Sequence, residues 1–447
     1  MQKKVFGNVF FSLIDKAIVF VFSMFISIAL ARYLGASDYG RYTFFGVIYT
    51  FVNSFACFGM QQIVTKEFAA YENKRKAVLY AAIIVAFATG MITELGVLIL
   101  QLITGFLSWL EVAVLGVICL FNVCQIFYYY LTATYQLKYV VKIKNIVLIW
   151  MVVIYIVLIM NKASVEWFIL VYALKECGTL GVSFLAFLCS REKEKIRYQE
   201  AAVSEIFFII GKLIHLCLPL LLGGLSVTIY MKIDQVMIKS MLGEEQLGIY
   251  SVGIKLVDAF FFIPPAVTAG LLPYFAKQYM EEPTIFWTRY ERFASALNAI
   301  AYMYVIVLAV LGKWMIHFLY GEEYAEAYKI LMVTIWTVIP VCMGCMRGIF
   351  LSIMEYSGLS FFFSIAAAVM NMAMNYLMIP VFGALGAAIA SVISYWVQGF
   401  MLTFISPKLR QMTKVQWKSL YGFIFLIKEI KVMYKNVLCS LGKGVQD

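Results

Sequence analysis

Long apolar runs dominate this chain, and many of them approach twenty residues in length. A helix of that length spans the hydrocarbon core of a bilayer, which is about 30 Å thick. Because lipid offers no hydrogen-bond partners, the backbone of each run must bond within its own segment, which predicts helices. A transmembrane barrel would alternate apolar and polar residues, whereas these runs are apolar on every face. The sequence therefore predicts an all-α integral membrane protein.

The runs predict about twelve transmembrane helices in two sets of six. The first set covers 17–34, 42–60, 77–100, 112–133, 146–160 and 165–188, and the second covers 209–230, 248–272, 293–311, 327–351, 361–381 and 385–405. A charged segment separates the two sets. We therefore predict an N-terminal six-helix bundle at 1–190, a cytoplasmic linker at 191–206, a C-terminal bundle at 207–406 and a basic tail at 407–447.

The charged residues indicate the orientation of the chain in the membrane. Only 14% of the residues are charged and 63% are hydrophobic. Soluble proteins have about 25% charged and about 45–50% apolar residues. The net charge of +11 comes from Lys and Arg that cluster in alternate loops and in the tail. This bias predicts a membrane protein with both termini in the cytoplasm, and it argues against nucleic-acid binding.

Catalytic and metal-binding motifs are missing from the sequence. The chain has two histidines and no HExxH, Walker A or GxSxG motif, and Cys342 and Cys345 form a CxxC inside an apolar run without a second pair. No predicted loop is long enough for a soluble catalytic site. We therefore expect neither a metal nor a cofactor, and we predict a transporter rather than an enzyme.

A short pattern occurs in both halves. Each copy joins the first two spans of its half, and the matching positions keep one separation along the chain: Leu34, Gly35, Gly40 and Tyr42, then Leu242, Gly243, Gly248 and Tyr250. Glycine-bearing turns are common, so coincidence is the alternative interpretation. A true repeat of six spans would be a parallel one, with its axis along the membrane normal.

Ionisable residues inside the spans or next to their ends are the candidate site residues, since one inside a span costs about 2.5–3.5 kcal/mol on insertion scales. Lys175 and Glu176 lie within the sixth span. The substrate-binding candidates are Lys16, Arg32, Lys212, His215, Lys255 and Arg347. The ion-coupling candidates are Asp15, Glu94, Asp234 and Asp258. Pro219, Pro264 and Pro265 interrupt helical hydrogen bonding, so they are candidate hinges that kink their helices.

Structural interpretations stay open for several of these residues. Asp15 and Lys16 also fit an ion pair at the inner interface, and Lys212 also fits a side chain that reaches back to the cytoplasm. Lys255 and Asp258, one turn apart, also fit an internal pair.

Glu94 fits either a proton or cation site or a neutral buried carboxyl. Arg347 lies deep in its span, where a guanidinium needs an acidic partner or an anionic ligand.

The order of several motifs resembles the polysaccharide flippases of the multidrug/oligosaccharidyl-lipid/polysaccharide exporter superfamily. In the first half these are Asn8, ARYLG at 31–35, DYGRY at 38–42 and FGM at 58–60. In the second half they are Pro219, YMKID at 230–234, LG at 242–243, GIY at 248–250, IPP at 263–265, LP at 272–273, LYG at 319–321 and GALGAA at 383–388.

The resemblance implies two six-helix bundles around a central cavity and a glycan on a polyprenyl pyrophosphate carrier as substrate. It implies partners among membrane lipids and polysaccharide-assembly proteins. Lys, Arg and His in such a cavity would neutralise the pyrophosphate through charge-assisted hydrogen bonds. Two alternatives remain: an ion-coupled multidrug efflux antiporter of the same superfamily, and a membrane-embedded polysaccharide polymerase or ligase.

Overall fold

The computed structural model describes residues 2–134, 136–190, 202–422 and 424, with side chains from residue 19 onwards except 137–140, 142 and 357. Every regular element in these ranges is a helix. The chain forms two compact units, Met1–Gly248 and Ile249–Asp447, which are called unit 1 and unit 2 below. Most of the predicted linker at 191–206, and the predicted tail beyond 424, lie outside the described residues, so the predicted domain boundaries stay predictions.

Eleven helical stretches in the described part of the chain are long and apolar enough to cross a membrane. The first, Val19–Ala70, has 52 residues. At the α-helical rise it would extend about 78 Å, more than twice the thickness of the hydrocarbon core. It therefore contains both of the first two predicted spans, which brings the count to the predicted twelve.

Unit 1 is built from long helices that run close to the predicted spans. They are α1 (Gln2–Ala56), α2 (Met60–Ala70), α3 (Arg75–Thr104), α4 (Trp109–Phe121), α5 (Gln125–Ala133), α6 (Leu137–Met160), α7 (Val165–Leu188), α8 (Val203–Leu242) and the start of α9 (Glu244–Asp258). Phe68, Tyr130 and Phe187 form part of its aromatic core, with ring centroids 5.0–5.3 Å apart.

The two copies of the repeated pattern share an unusual backbone conformation. Gly35 breaks α1 at a single residue with φ 73° and ψ 175°, and Gly243 separates α8 from α9 with φ 94° and ψ −178°. This region of backbone space is accessible essentially only to glycine. The first two predicted spans are thus joined through one non-helical residue, without the loop expected between them at 35–41, and the same device follows α8.

The second glycine of each copy forms a close contact between α1 and the first turns of α9. A methyl group on Gly40 would lie 1.8 Å from the carbonyl oxygen of Glu244, and one on Gly248 would lie 2.0 Å from that of Ala36. Gly40 of the first copy contacts Glu244 of the second, and Gly248 of the second contacts Ala36, the residue of the first copy equivalent to Glu244. A local two-fold axis relates two such contacts. This symmetry supports a true repeat over coincidence.

Arg41 fastens three helices of unit 1 together. Its guanidinium bonds Glu111 at the start of α4 (3.0 Å) and Glu166 at the start of α7 (2.9 Å). Glu111 also forms a capping box with Ser108, so its carboxylate is held from two sides. The sequence placed Arg41 in a loop and gave no indication of this network.

Unit 2 contains the remaining part of α9 and seven further helices. They are α10 (Ile263–Glu281), α11 (Pro283–Tyr320), α12 (Ala327–Thr334), α13 (Val338–Ile353), α14 (Ser357–Phe382), α15 (Ala384–Gly399) and α16 (Arg410–Ser419). Three predicted spans are each divided between two helices: 112–133 (α4 and α5), 248–272 (α9 and α10) and 327–351 (α12 and α13).

The prolines act differently from the prediction in one of the two helices. Pro219 lies inside α8, which runs without interruption through it. Pro264 and Pro265 do not kink a continuous helix: α9 ends at Asp258, and the two prolines occupy the first turn of α10. Proline is favoured there because the first turn leaves its backbone N–H groups unbonded in any case. Their role as hinges stays a prediction.

Candidate functional site

A charged pair lies midway along α7, inside a stretch apolar enough to cross the membrane. The Lys175 Nζ atom is 2.8 Å from the Glu176 Oε1 atom. The two side chains retain 24% and 18% exposure, so they are largely but not fully enclosed. A charge pair at this depth is expensive to desolvate, which makes it a candidate functional site rather than a simple stabilising contact.

Tyrosines of α1 and α7 complete the surroundings of the pair. The Tyr49 hydroxyl donates to the second Glu176 oxygen, Oε2, at 2.9 Å. The Lys175 ammonium lies 4.4 Å from the centre of the Tyr172 ring, within cation–π range. Each charge therefore has its ionic partner and one aromatic partner. We call Tyr49, Tyr172, Lys175 and Glu176 the α7 cluster.

Helical spacing explains why these side chains meet. Tyr172, Lys175 and Glu176 stand at i, i+3 and i+4 on one face of α7. Tyr42, Phe45 and Tyr49 follow a similar spacing on α1, and all three of their rings lie 5.4–6.0 Å from that of Tyr172. The Tyr42 and Tyr155 hydroxyls, 3.1 Å apart, continue the polar lining towards the start of α7.

The cluster can hold an anionic group and a cation at adjacent points. Lys175 is the donor for an anion, and Glu176 with the Tyr49 hydroxyl offers oxygen ligands or a proton acceptor. The ion pair satisfies both charges in the present structure. An incoming anion at Lys175 would separate the pair and leave Glu176 needing a new positive partner.

Lys212 is held by a second ion pair of unit 1. Its Nζ atom lies 2.8 Å from both carboxylate oxygens of the buried Glu67 on α2, and 5.3 Å from the centre of the Tyr71 ring. The two interpretations open from sequence, substrate binding and a side chain that reaches back to the cytoplasm, stay predictions. His215, predicted to share its face, is exposed one turn further along α8.

Arg347 is packed inside unit 2. It is 1% exposed, it donates to the carbonyl oxygen of Gln398 in the last turn of α15, and its guanidinium lies 4.7 Å from the centre of the Phe363 ring. The C-terminal carbonyls of a helix carry partial negative charge, so a buried cation is favourable there. This placement favours a structural role for Arg347 over contact with substrate.

The other predicted residues are distributed over both units. Glu94 on α3 presses its carboxyl group against Gly116 of α4, where a methyl group would lie 2.8 Å from Oε1. Asp234 on α8 is buried and accepts a hydrogen bond from the backbone of Gln235 (2.8 Å). Arg32 is exposed, and Lys255 and Asp258 are half-buried on α9. The side chains of Asp15 and Lys16 lie outside the described residues.

No group of three or more His, Cys, Asp or Glu side chains in the described ranges is arranged to hold a metal ion. Cys342 is buried and Cys345 half-buried within α13, among apolar neighbours. The two cysteines are therefore placed as small hydrophobic side chains would be.

Comparison with known protein families gives one match over most of the chain. The family described as "Polysaccharide biosynthesis protein" matches residues 29–329, which include the second half of α1, the α7 cluster and the Gly40–Gly248 contact. The comparison with curated proteins gives no match.

Solved structures with a similar fold are membrane transporters. The lipid II flippase MurJ in an inward closed conformation superposes with a TM-score of 0.64 at 13% identity, covering 94% of this chain and 93% of that one. An inward-facing multidrug resistance MATE family transporter of the MOP superfamily gives 0.62 at 13% identity, covering 93% and 95%. A eukaryotic MATE transporter gives 0.56 at 13% identity, covering 92% and 98%. The predicted fold, an all-α integral membrane protein of about twelve transmembrane helices, is confirmed, and these solved structures share it.

Proposed function

Because this chain belongs to the polysaccharide biosynthesis protein family, we propose that it is a flippase for a lipid-linked oligosaccharide. In this proposal it moves a glycan on polyprenyl pyrophosphate from the inner to the outer leaflet of the bacterial cytoplasmic membrane by alternating access. Both termini face the cytoplasm, and the glycan is passed on to polysaccharide-assembly proteins. The fold shared with MurJ, a lipid II flippase, supports this class of substrate.

The observation that carries the proposal is the α7 cluster. A pyrophosphate cannot cross hydrocarbon without a compensating charge, and Lys175 places an ammonium group about midway through the membrane. Its present partner is the neighbouring residue, Glu176. A phosphate can therefore replace the Glu176 carboxylate through side-chain rotation alone. The tyrosine hydroxyls and rings of the cluster are suited to the polar edges and apolar faces of sugars.

The exchange also supplies a means of coupling. When the pyrophosphate pairs with Lys175, the Glu176 carboxylate loses its cation in a low-dielectric region, which is strongly unfavourable. Binding of a proton or a metal cation at Glu176 and the Tyr49 hydroxyl removes that cost. Release of the substrate restores the Lys175–Glu176 pair and expels the cation, so the cation crosses in the same direction as the substrate and compensates its charge. Glu176 thus joins Asp15, Glu94, Asp234 and Asp258 as an ion-coupling candidate.

The multidrug antiporter remains the second candidate, because two of the similar structures are MATE transporters. A cationic drug would bind Glu176 and leave Lys175 as the displaced charge. The two candidates therefore use the same cluster with opposite signs of substrate. The remaining alternative, a membrane-embedded polymerase or ligase, would use Glu176 of the cluster as its proton acceptor.

Transport by the purified protein in proteoliposomes distinguishes these candidates. A fluorescent glycan on polyprenyl pyrophosphate is added to one leaflet, and its transfer is followed by quenching from outside; a cationic dye is followed in parallel vesicles. We expect transfer of the lipid-linked glycan well above that in protein-free vesicles. Transport of the dye alone would establish the antiporter, and elongation of the glycan in place of transfer would establish the enzyme.

A further inference from the structure

The short helix α16 is a fixed part of unit 2, although its sequence is polar and basic. Gln416 is fully buried, and its side-chain amide donates to the carbonyl oxygens of Met343 (3.0 Å) and Gly399 (2.8 Å). The Thr403 hydroxyl donates to the Gln416 side-chain oxygen at 2.9 Å, and Asn298 donates to the Ser419 hydroxyl at 2.8 Å. These bonds hold the face of α16 that carries Gln416 and Ser419 against unit 2, and they thereby fix the direction of its opposite face.

That opposite face borders a cavity of about 280 Å³. The cavity is lined by Phe404, Thr413, Lys414, Trp417 and Lys418. Phe404 and Trp417 are 57% and 52% exposed, a high value for large aromatic side chains. Trp417 is held in place by a stacked contact with Phe400, at 5.9 Å between ring centroids. Lys414 and Lys418 stand one turn apart along the same face.

The cavity lies where the chain leaves the membrane. Within the described residues, the last stretch able to cross the bilayer, Ala384–Phe404, ends at the cavity wall, and the next residue, Ile405, is also exposed. Tryptophan and lysine together are typical of this depth, since the indole ring suits the boundary of the acyl region and the ammonium reaches the headgroups. By the charge distribution of the loops, this is the cytoplasmic side.

We propose that this cavity binds an anionic phospholipid. The lipid phosphate lies against Lys414 and Lys418, and the upper part of an acyl chain covers Phe404 and Trp417. Lys418 already pairs with Glu291 of α11 at 2.8 Å, so it shares its ammonium between the two, whereas Lys414 is exposed. A zwitterionic lipid is disfavoured because its own ammonium group would lie beside the two lysines. This proposal does not depend on the transport function.

The binding of lipids to the purified full-length protein in detergent tests the proposal. Native mass spectrometry counts bound phosphatidylglycerol and phosphatidylcholine for the wild type, for Lys414→Gln with Lys418→Gln, and for Lys277→Gln as the control. Lys277 is an exposed lysine of unit 2 that also faces a glutamate, Glu281, at 3.7 Å. We expect the double variant to lose about tenfold in phosphatidylglycerol affinity, and the control to keep it.

Four outcomes would overturn the proposal. Three concern ligand binding: equal binding of the two lipids by the wild type, unchanged phosphatidylglycerol binding in the double variant, and full competition by inorganic phosphate, which would indicate a site for a free anion. A protein dimer that dissociates in the double variant would assign the face to a second copy of the chain.

Quenching by brominated acyl chains locates the lipid independently. The wild type and Trp417→Phe are reconstituted with brominated phosphatidylglycerol or brominated phosphatidylcholine, and the difference between the two proteins gives the fluorescence of Trp417 alone. We expect stronger quenching of Trp417 by the anionic lipid. Equal quenching by both lipids would mean that Trp417 faces bulk membrane, contrary to the proposal.

Discussion

The charged residues of unit 1 fall into two kinds of pair. Lys212 and Glu67 come from helices distant in sequence and form two bonds of 2.8 Å, so they fasten α8 to α2. Lys175 and Glu176 are neighbours on one helix, so their ion pair joins no two elements, although Glu176 also accepts a hydrogen bond from Tyr49 of α1. An ion pair that joins no two elements can open without loss of the fold. For this reason we propose the α7 cluster for substrate contact, while the substrate-binding role of Lys212 stays a prediction.

The role of Lys212 is testable by exchange of charges. Lys212→Gln leaves Glu67 buried without its cation, and we expect a loss of about 1–2 kcal/mol, moderated because Lys212 is partly exposed. Lys212→Glu combined with Glu67→Lys should recover most of the thermal stability in detergent and most of the transport. Recovered stability without transport would show that Lys212 contacts substrate directly.

Sequence alone predicted which residues are charged within the membrane, but not how they pair. Arg347 and Glu176 both occur inside apolar runs, and nothing in those runs distinguishes the buried guanidinium that binds Gln398 from a cavity-facing one. Gln398, which binds Arg347, and Tyr49, which binds Glu176, come from other helices, and contacts between helices depend on rotation and crossing of whole elements. Tyr49 was missed for the same reason, although the spacing of Tyr42, Phe45 and Tyr49 is visible in the sequence.

At the scale of elements, the apolar runs predicted the helices well, because the length of a membrane span is set by bilayer thickness. The breaks were harder to predict. A single glycine with positive φ joins two helices at Gly35, and two prolines start α10 at a point where one continuous span was expected. Neither the glycine nor the two prolines change the hydrophobicity of the run, so the pattern of apolar residues does not reveal these breaks.

The Gly40–Gly248 contact gives a prediction at this scale. Gly40→Ala places a methyl group 1.8 Å from the Glu244 carbonyl oxygen, so α1 and α9 must move apart. We expect a loss of about 1–3 kcal/mol in stability, measured as thermal unfolding in detergent. Gly96→Ala on α3 is the matched control, because no atom lies within 4 Å of its added methyl. Equal stability of the two variants would contradict the tight contact.

For the whole molecule, alternating access requires that some contacts open and close once per cycle. The glycine contact is a candidate, because it joins the beginnings of the two repeat copies through backbone atoms. The two glycine junctions that flank it, Gly35 and Gly243, are predicted to lie on the extracytoplasmic side. An opening there would give the substrate access to the outer leaflet.

Cross-linking across this contact tests its movement. Ser37 and Glu245 are exposed, equivalent positions of the repeat. With native cysteines replaced, Ser37→Cys and Glu245→Cys are joined by a short reducible cross-linker. We expect transport in proteoliposomes to stop and to return after reduction, while binding of substrate from the cytoplasmic side persists. Undiminished transport by the cross-linked protein would show that the contact stays closed throughout the cycle.

The central claim is that the pyrophosphate of the substrate replaces the Glu176 carboxylate as the ionic partner of the Lys175 ammonium. Equilibrium binding of a polyprenyl-pyrophosphate glycan to Lys175→Gln and Glu176→Gln tests it most directly, with Lys277→Gln as a surface control. Lys175→Gln removes the cation and should weaken binding by about tenfold, whereas Glu176→Gln removes the competitor for Lys175 and should strengthen it. Opposite shifts are the predicted result. Weakening in both variants, or no change in either, would contradict the account.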